Sequence, residues 1–168
     1  FGLLGPRSLF GHAIHLDEAE CRRLSETGSV AVHCPTSNCF LGSGLFDISR
    51  LGDPERPVRL ALATDIGGGT SWSMLATQGR AIEVARLAGA DLDATRAFFI
   101  ATLGNARALG LDGEIGSLEP GRFADMVVID PRATAVLAAR DDLSESLEDL
   151  LFALAILGDE RAVRSTWI

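Results

Sequence analysis

The sequence predicts an α/β protein with parallel strands, and three features carry that prediction. An apolar run, Leu60-Ala61-Leu62-Ala63, stops at Thr64-Asp65 and is followed by Gly67-Gly68-Gly69, the pattern of a strand buried on both faces that ends in a sharp turn. Strand and helix patterns alternate over the first two thirds of the chain, which calls for parallel strands with right-handed crossovers. The residues with chemistry to offer, His12, Asn38 and Asp65, all fall at carboxyl ends of strands. That is the edge where ligands collect in parallel sheets and barrels.

In chain order, Ser8-Leu9-Phe10-Gly11-His12 reads as a short strand ending in a histidine preceded by a permissive glycine. Asp17 with Glu20 three residues on approximates a capping box, and Gly28 is placed to close that helix. Residues 30–34 form the second strand, halted by Pro35, and Thr36-Ser37-Asn38 is expected to be a polar loop at its carboxyl end. The third strand is the one that ends at Asp65. Helices are expected over 74–88, with Gly89 just beyond, and over 94–103, with 105–109 as an extra turn. After Leu109 the texture changes. Residues 113–122 are turn-rich and 124–130 read as a strand. Residues 144–157 have helical spacing, with Leu147, Leu150, Leu151, Leu154 and Leu157 on one stripe, and 163–168 return to strand. No internal repeat or low-complexity linker is present.

Composition narrows the function. With 168 residues, 47% hydrophobic and 23% charged, this is an ordinary globular sequence. A net charge of -8 with no basic run argues against a nucleic-acid partner and suits a neutral or cationic small molecule. Cys21, Cys34 and Cys39 are an odd number without C-x-x-C spacing, so neither a disulfide framework nor a zinc knuckle is indicated, and a reducing compartment is expected. There is no basic-then-apolar leader, and no apolar run approaches the roughly 18 residues of a membrane span. A cytoplasmic location without membrane contact follows as the expectation. The chain opens at Phe1 rather than Met and stops at Ile168 within a strand pattern, so both ends read as cut.

Few residues could carry a reaction. His12 at a strand end is the strongest histidine; His15 is expected to cap or pack near the following helix start, and His33 to be a satisfied inner histidine. Gly42-Ser43-Gly44 is no nucleophile elbow. Cys34 and Cys39 lack a base at fixed spacing, and the three glycines lack the lysine of a phosphate-binding loop. Asp65 could be a plain N-cap or Asx-turn residue, yet the glycines beside it leave space for a metal, a water and a flat substrate. Metal-assisted hydrolysis fits best. A catalytic zinc needs three protein ligands plus an open position, and one well-placed aspartate and one well-placed histidine leave that set incomplete.

These residues resemble a known family. His12 after a strand, the run His33-Cys34-Pro35-Thr36-Ser37-Asn38, the run Thr64-Asp65-Ile66-Gly67-Gly68-Gly69-Thr70-Ser71, and Gly116-Ser117-Leu118-Glu119-Pro120-Gly121-Arg122 leading into Phe123-Ala124-Asp125-Met126-Val127-Val128-Ile129-Asp130 are together similar to the amidohydrolase superfamily. Leu41-Gly42-Ser43-Gly44-Leu45-Phe46 and Ser73-Met74-Leu75 add a likeness to its guanine-hydrolysing members. The resemblance implies the C-terminal part of a TIM (β/α)8 barrel, strands six to eight over residues 1–111, and part of a small flanking β-sandwich with a helix over 112–168. A whole barrel takes about 250 residues, so the family's remaining metal-binding histidines, its proton-shuttling glutamate and its arginine-phenylalanine substrate clamp would lie outside this chain. Asp65 matches the strand-eight aspartate, a zinc ligand that also takes a proton from the attacking water. His12 matches the strand-six histidine that faces the same water. The implied cofactor is one Zn2+ per complete site, and the implied reaction converts guanine to xanthine and ammonia. Asn38 and Ser37 could hydrogen-bond a purine edge, Trp72 could wall the pocket, and the whole enzyme would be a homodimer. The rival readings are another purine, pterin or triazine aminohydrolase, and a catalytically inert fragment that serves only as an interaction module.

Overall fold

A computed structural model describes residues 2–168 as a mixed α/β structure. Strands β1 (Leu9–Gly11), β2 (Val30–His33) and β3 (Arg59–Leu62) form a parallel sheet in that order, with Leu9 opposite Val30 and Val30 opposite Arg59. Between β1 and β2 runs helix α1 (Glu18–Thr27). Asp17 accepts from Glu20 N–H, the Glu20 carboxylate accepts from Asp17 N–H, and Gly28 closes the helix at φ 66°. The expected capping box and closing glycine are both present.

The stretch after β2 corrects the sequence reading. Residues 36–38 are not a loop but lie in helix α2 (Pro35–Leu41), followed by the short α3 (Ile48–Leu51). Pro35 ends the strand because it cannot donate to the ladder, and the same missing N–H suits it to the first turn of a helix. Gly42, left-handed at φ 68°, closes α2 by bonding back to Asn38 and Cys39 carbonyls.

Strand β3 also ends earlier than expected. Its last hydrogen bond to β2 runs from Ala63 N–H to His33 O, and Asp65 lies beyond it in a turn at φ 47°. Leu62 packs with Ala31 into the helix-side core, while Ala61 packs with Val30 and Ala108 on the other face. Burial on both faces is what the apolar run predicts.

Helix α4 (Met74–Leu87) begins at Ser73, whose hydroxyl accepts from Ala76 N–H. It covers one face of the sheet with α5 (Ala94–Phe99). The helix expected over 94–103 and the extra turn over 105–109 run on as one helical stretch that changes pitch, passing through a π turn (Ile100–Gly104) before α6 (Asn105–Leu109). Neighbouring strand residues face opposite edges, so with Ala63 N–H turned to β2, the N–H and C=O of Leu62 face away from it. Asn105 occupies that edge: its Oδ1 accepts from Leu62 N–H and its Nδ2 donates to Leu62 O, both at 2.9 Å.

Beyond residue 111, β4 (Met126–Ile129) and β5 (Val163–Trp167) pair antiparallel as a ribbon. Helix α7 (Ala135–Asp141), which the sequence pattern does not predict, and α8 (Leu147–Leu157) lie between them in the chain. Gly79 of α4 faces the Ala155 carbonyl of α8 so closely that a Cβ there would overlap it. No described helix is long and apolar enough to cross a membrane.

Candidate active site

The carboxyl ends of β1, β2 and β3 and the first turn of α2 converge on one cluster. His12 donates its backbone N–H to Val32 O at 2.9 Å, so its ring starts from the end of the β1–β2 ladder. Its φ is 69° and that of Ala13 is 46°; with Asp65 at 47° these are the non-glycine residues of left-handed conformation among those described. Gly11, read from the sequence as the permissive residue, lies within β1, and the histidine itself takes the unusual conformation. Such backbone costs on the order of 1–3 kcal/mol per residue and collects where geometry serves function.

The two predicted catalytic groups meet. His12 Nε2 is 3.8 Å from Asp65 Oδ2, and both side chains are part-open, 47% and 38% exposed. Gly68 makes room for the carboxylate, and Gly69 for the backbone turn that carries it. A Cβ on Gly68 would stand 2.7 Å from Ser37 Oγ and 3.1 Å from Asp65 Oδ2, and one on Gly69 would overlap the Thr64 carbonyl oxygen. The Gly69 N–H donates to Asp65 O at 2.5 Å, closing the turn. The sequence argument that these glycines leave space beside the aspartate therefore holds at Gly68, while Gly69 serves the turn and Gly67 borders open space.

Helix α2 backs this pair with three successive polar residues. Thr36 Oγ1 donates to Thr64 O at 3.2 Å, Ser37 is 0% exposed against Gly68, and Asn38 is 1% exposed with Oδ1 2.8 Å from His12 Nδ1. Among the described residues, Ser37 Oγ and Asn38 Nδ2 have no hydrogen-bond partner. Buried polar atoms without partners are uncommon and ask for an explanation. Ser37 and Asn38 thus belong to the cluster, but they stand behind His12 and Gly68 rather than in the open.

Cys34 was missed. Its Sγ, a nitrogen of His12 and a carboxylate oxygen of Asp65 lie within 4.8 Å of one another. The signal was its place one residue past β2, the same strand-end position that singled out His12. Burial pushes its thiol up, opposed by a hydrogen bond with the His12 backbone and reinforced by the Asp65 charge. Cys39 is exposed on the far turn of α2.

The other histidines serve structure. His15 Nε2 is 2.9 Å from Ser43 O and ties the β1 loop to the end of α2. His33 is buried and stacked on Phe46, centroids 4.4 Å apart, and burial holds its pKa down at about 3. It is an inner histidine as expected, although its Nδ1 lacks a hydrogen-bond partner among the described residues. Trp72 is 81% exposed and lines a groove of about 1100 Å³ between α4 and the β4–β5 ribbon, away from the cluster.

The donor set suits a borderline-soft divalent cation. A carboxylate oxygen and an imidazole nitrogen are zinc ligands by type, and the two atoms, 3.8 Å apart with the Cys34 sulfur within 4.8 Å, leave a place for a cation or a shared water.

Known proteins match this chain along its whole length. A profile of the amidohydrolase family covers residues 1–168. The guanine deaminase of Escherichia coli is 46% identical over 168 residues, and its solved structure superposes with a TM-score of 0.96 over 99% of this chain. A guanine deaminase structure from Bradyrhizobium japonicum is 35% identical, with a TM-score of 0.93 over 99% of this chain and 42% of that one. An adenosine deaminase from Xanthomonas campestris, solved with bound zinc, is 33% identical with a TM-score of 0.82 over 99% of this chain and 37% of its own. The chain spans 38% of the length of the Escherichia coli relative. On the match over its full length, the chain belongs to the amidohydrolase family.

Proposed function

We propose that this chain supplies one side of a zinc-dependent site that hydrolyses guanine to xanthine and ammonia. The observation that carries this reading is the approach of His12 Nε2 to Asp65 Oδ2 at one sheet edge, 3.8 Å apart and part-open. Likeness along the whole chain to proteins named guanine deaminase supports the substrate, and the zinc-bound relative supports the metal.

On this reading Asp65 holds the zinc together with residues outside the chain. A bound zinc ion lowers the pKa of water towards about 7, so that hydroxide is available at neutral pH. Asp65 Oδ2 accepts the proton released as water adds to C2 of the base. His12 Nε2, aimed at the same point, orients that water. The two protons of the water end on N3, as the C2=N3 bond becomes single, and on the departing amino group; the C2–N bond to that group then breaks, ammonia leaves, and C2 becomes the second carbonyl of xanthine. The glycines at 67–69 let a flat base approach the carboxylate without meeting side chains. Ser37 and Asn38, expected from the sequence to bond a purine edge, would reach a base only from behind Gly68 and His12 respectively.

The finer architecture belongs to the same proposal. Residues 1–111 are strands six to eight of a (β/α)8 barrel with their helices, and 112–168 are part of a composite β-sandwich with a helix. The half-buried face of the parallel sheet, where Val32 and Ala63 lie, is the side the remaining barrel strands would cover. The complete enzyme is a cytoplasmic homodimer whose partner is a small molecule rather than a nucleic acid or a membrane.

The test uses a chimera in which these 168 residues replace the matching stretch of the Escherichia coli relative. Zinc-loaded, it should release ammonia from guanine at least tenfold faster than from adenosine or a triazine. Preference for either alternative overturns guanine as the substrate.

A further inference from the structure

We infer that Asn38 is a positioning residue for His12, setting which ring nitrogen carries the proton, rather than a contact for the base. The inference rests on the reading of His12 as a reacting group. It goes beyond it by giving a task to a buried residue that the reaction itself does not explain.

An amide oxygen can only accept, so Asn38 Oδ1 at 2.8 Å requires the proton of a neutral His12 ring to be on Nδ1. The proton-free Nε2 then faces the Asp65 side, able to accept from a water and to lie beside a cation. The opposite tautomer would point an N–H at the same place and repel a metal. Among the described residues Asn38 is the only side chain that hydrogen-bonds the His12 ring, and the ring is otherwise half-exposed. Its orientation therefore depends on one bond, as the orientation of a catalytic imidazole commonly depends on the group behind it.

The support for Asn38 is built into α2. Pro35 starts the helix, Gly42 closes it on the Asn38 and Cys39 carbonyls, and Ser43 N–H donates to Asn38 O at 2.9 Å. One residue pair back, Thr36 Oγ1 holds the Thr64 carbonyl at the entrance to the Asp65 turn. A single buried helical turn thus fixes both members of the pair, His12 through Asn38 and Asp65 through Thr36. This explains why the polar side chains of Thr36 and Asn38 are almost wholly buried, a cost that a structural helix would avoid by using apolar ones.

The experiment compares Asn38→Leu and Asn38→Asp with the unmodified chimera, zinc-loaded, reading kcat and KM for guanine, zinc content, and the His12 tautomer by ¹⁵N NMR assigned with His12→Gln. Asn38→Leu keeps the volume and removes the acceptor. It should lower kcat about 100-fold or more, in line with the loss seen when an orienting acceptor is removed, with KM within about threefold and zinc retained. The Nδ1–H signature of His12 should disappear. Asn38→Asp, which still accepts from Nδ1, should keep that signature and at least a tenth of kcat. A raised KM with unchanged kcat would make Asn38 a base contact and overturn the inference, as would an Nε2–H tautomer in the unmodified protein or an Asn38→Asp loss as deep as that of Asn38→Leu. If the unmodified chimera releases no ammonia, the guanine reading fails instead. The tautomer then decides alone: its dependence on Asn38 upholds the positioning role, and its independence overturns it.

Discussion

His12 and Asp65 are both part-open and 3.8 Å apart, yet their removal should have different consequences. On the proposed reading His12, held by Asn38, orients the reacting water, so His12→Ala is expected to keep zinc and lose about 10²–10³-fold in turnover, the scale of one well-aimed polar group. Asp65→Ala is expected to lower zinc content itself. Metal analysis beside ammonia release separates the two, and normal turnover by His12→Ala or normal zinc in Asp65→Ala contradicts the assigned roles. His33 shows that histidine position alone does not make a site residue. It lies on the helix-side core against Phe46, and its pKa falls to about 3 because burial disfavours the charged ring. Between that value and the ordinary one of about 6.5, the unfolded chain binds a proton that the folded one does not. Stability is therefore full above about 6.5 and falls as the pH drops towards 3, by up to ~1.4 kcal/mol per unit. His33→Phe removes the unpartnered Nδ1 and should flatten that acid limb in urea titrations at pH 7 and pH 5; an unchanged slope would mean that His33 does not drive it.

At the level of elements, much of the order was legible because its signals are local. The glycine after α1, the Asp17–Glu20 box and the apolar runs of β2 and β3 each act within one turn or one strand, and each element appears where the sequence places it, with β2 and β3 stopping at His33 and Leu62, short of the expected ends. What was not legible depends on partners far along the chain. Pro35 carries the same local signal whether it ends a strand or opens a helix, and burial of Thr36, Ser37 and Asn38 against the Asp65 turn decides for the helix. Cys34 enters the cluster only once β1 and β3 flank β2. The π turn over Ile100–Gly104 has no signature in the sequence. It precedes Asn105, whose amide completes the hydrogen bonds of Leu62 on an otherwise unpaired strand edge. Asn105→Ala leaves both backbone groups without those partners and should cost about 1–3 kcal/mol, read as a lower urea midpoint. A midpoint unchanged within error would show that the edge is satisfied another way.

On the scale of the whole molecule, the distribution of apolar surface agrees with a site completed from elsewhere. The β4–β5 ribbon has two strands, with Val127, Val128 and Trp167 exposed, and a lone two-stranded ribbon is at best marginally stable in water. It borders the groove of about 1100 Å³ that also holds exposed Trp72. Together with a chain that spans 38% of its Escherichia coli relative, this is the surface expected where further strands pack. The central claim is that Asp65 and His12 complete a guanine-hydrolysing site whose other ligands lie outside these 168 residues. The most direct test measures ammonia release from guanine, with zinc, by the 168-residue chain alone and by the chimera that restores the rest of the relative's chain. The account predicts no release by the chain alone and zinc-dependent release by the chimera that Asp65→Ala abolishes. Zinc-dependent release by the chain alone, or a folded, zinc-loaded chimera that leaves guanine untouched, would contradict it.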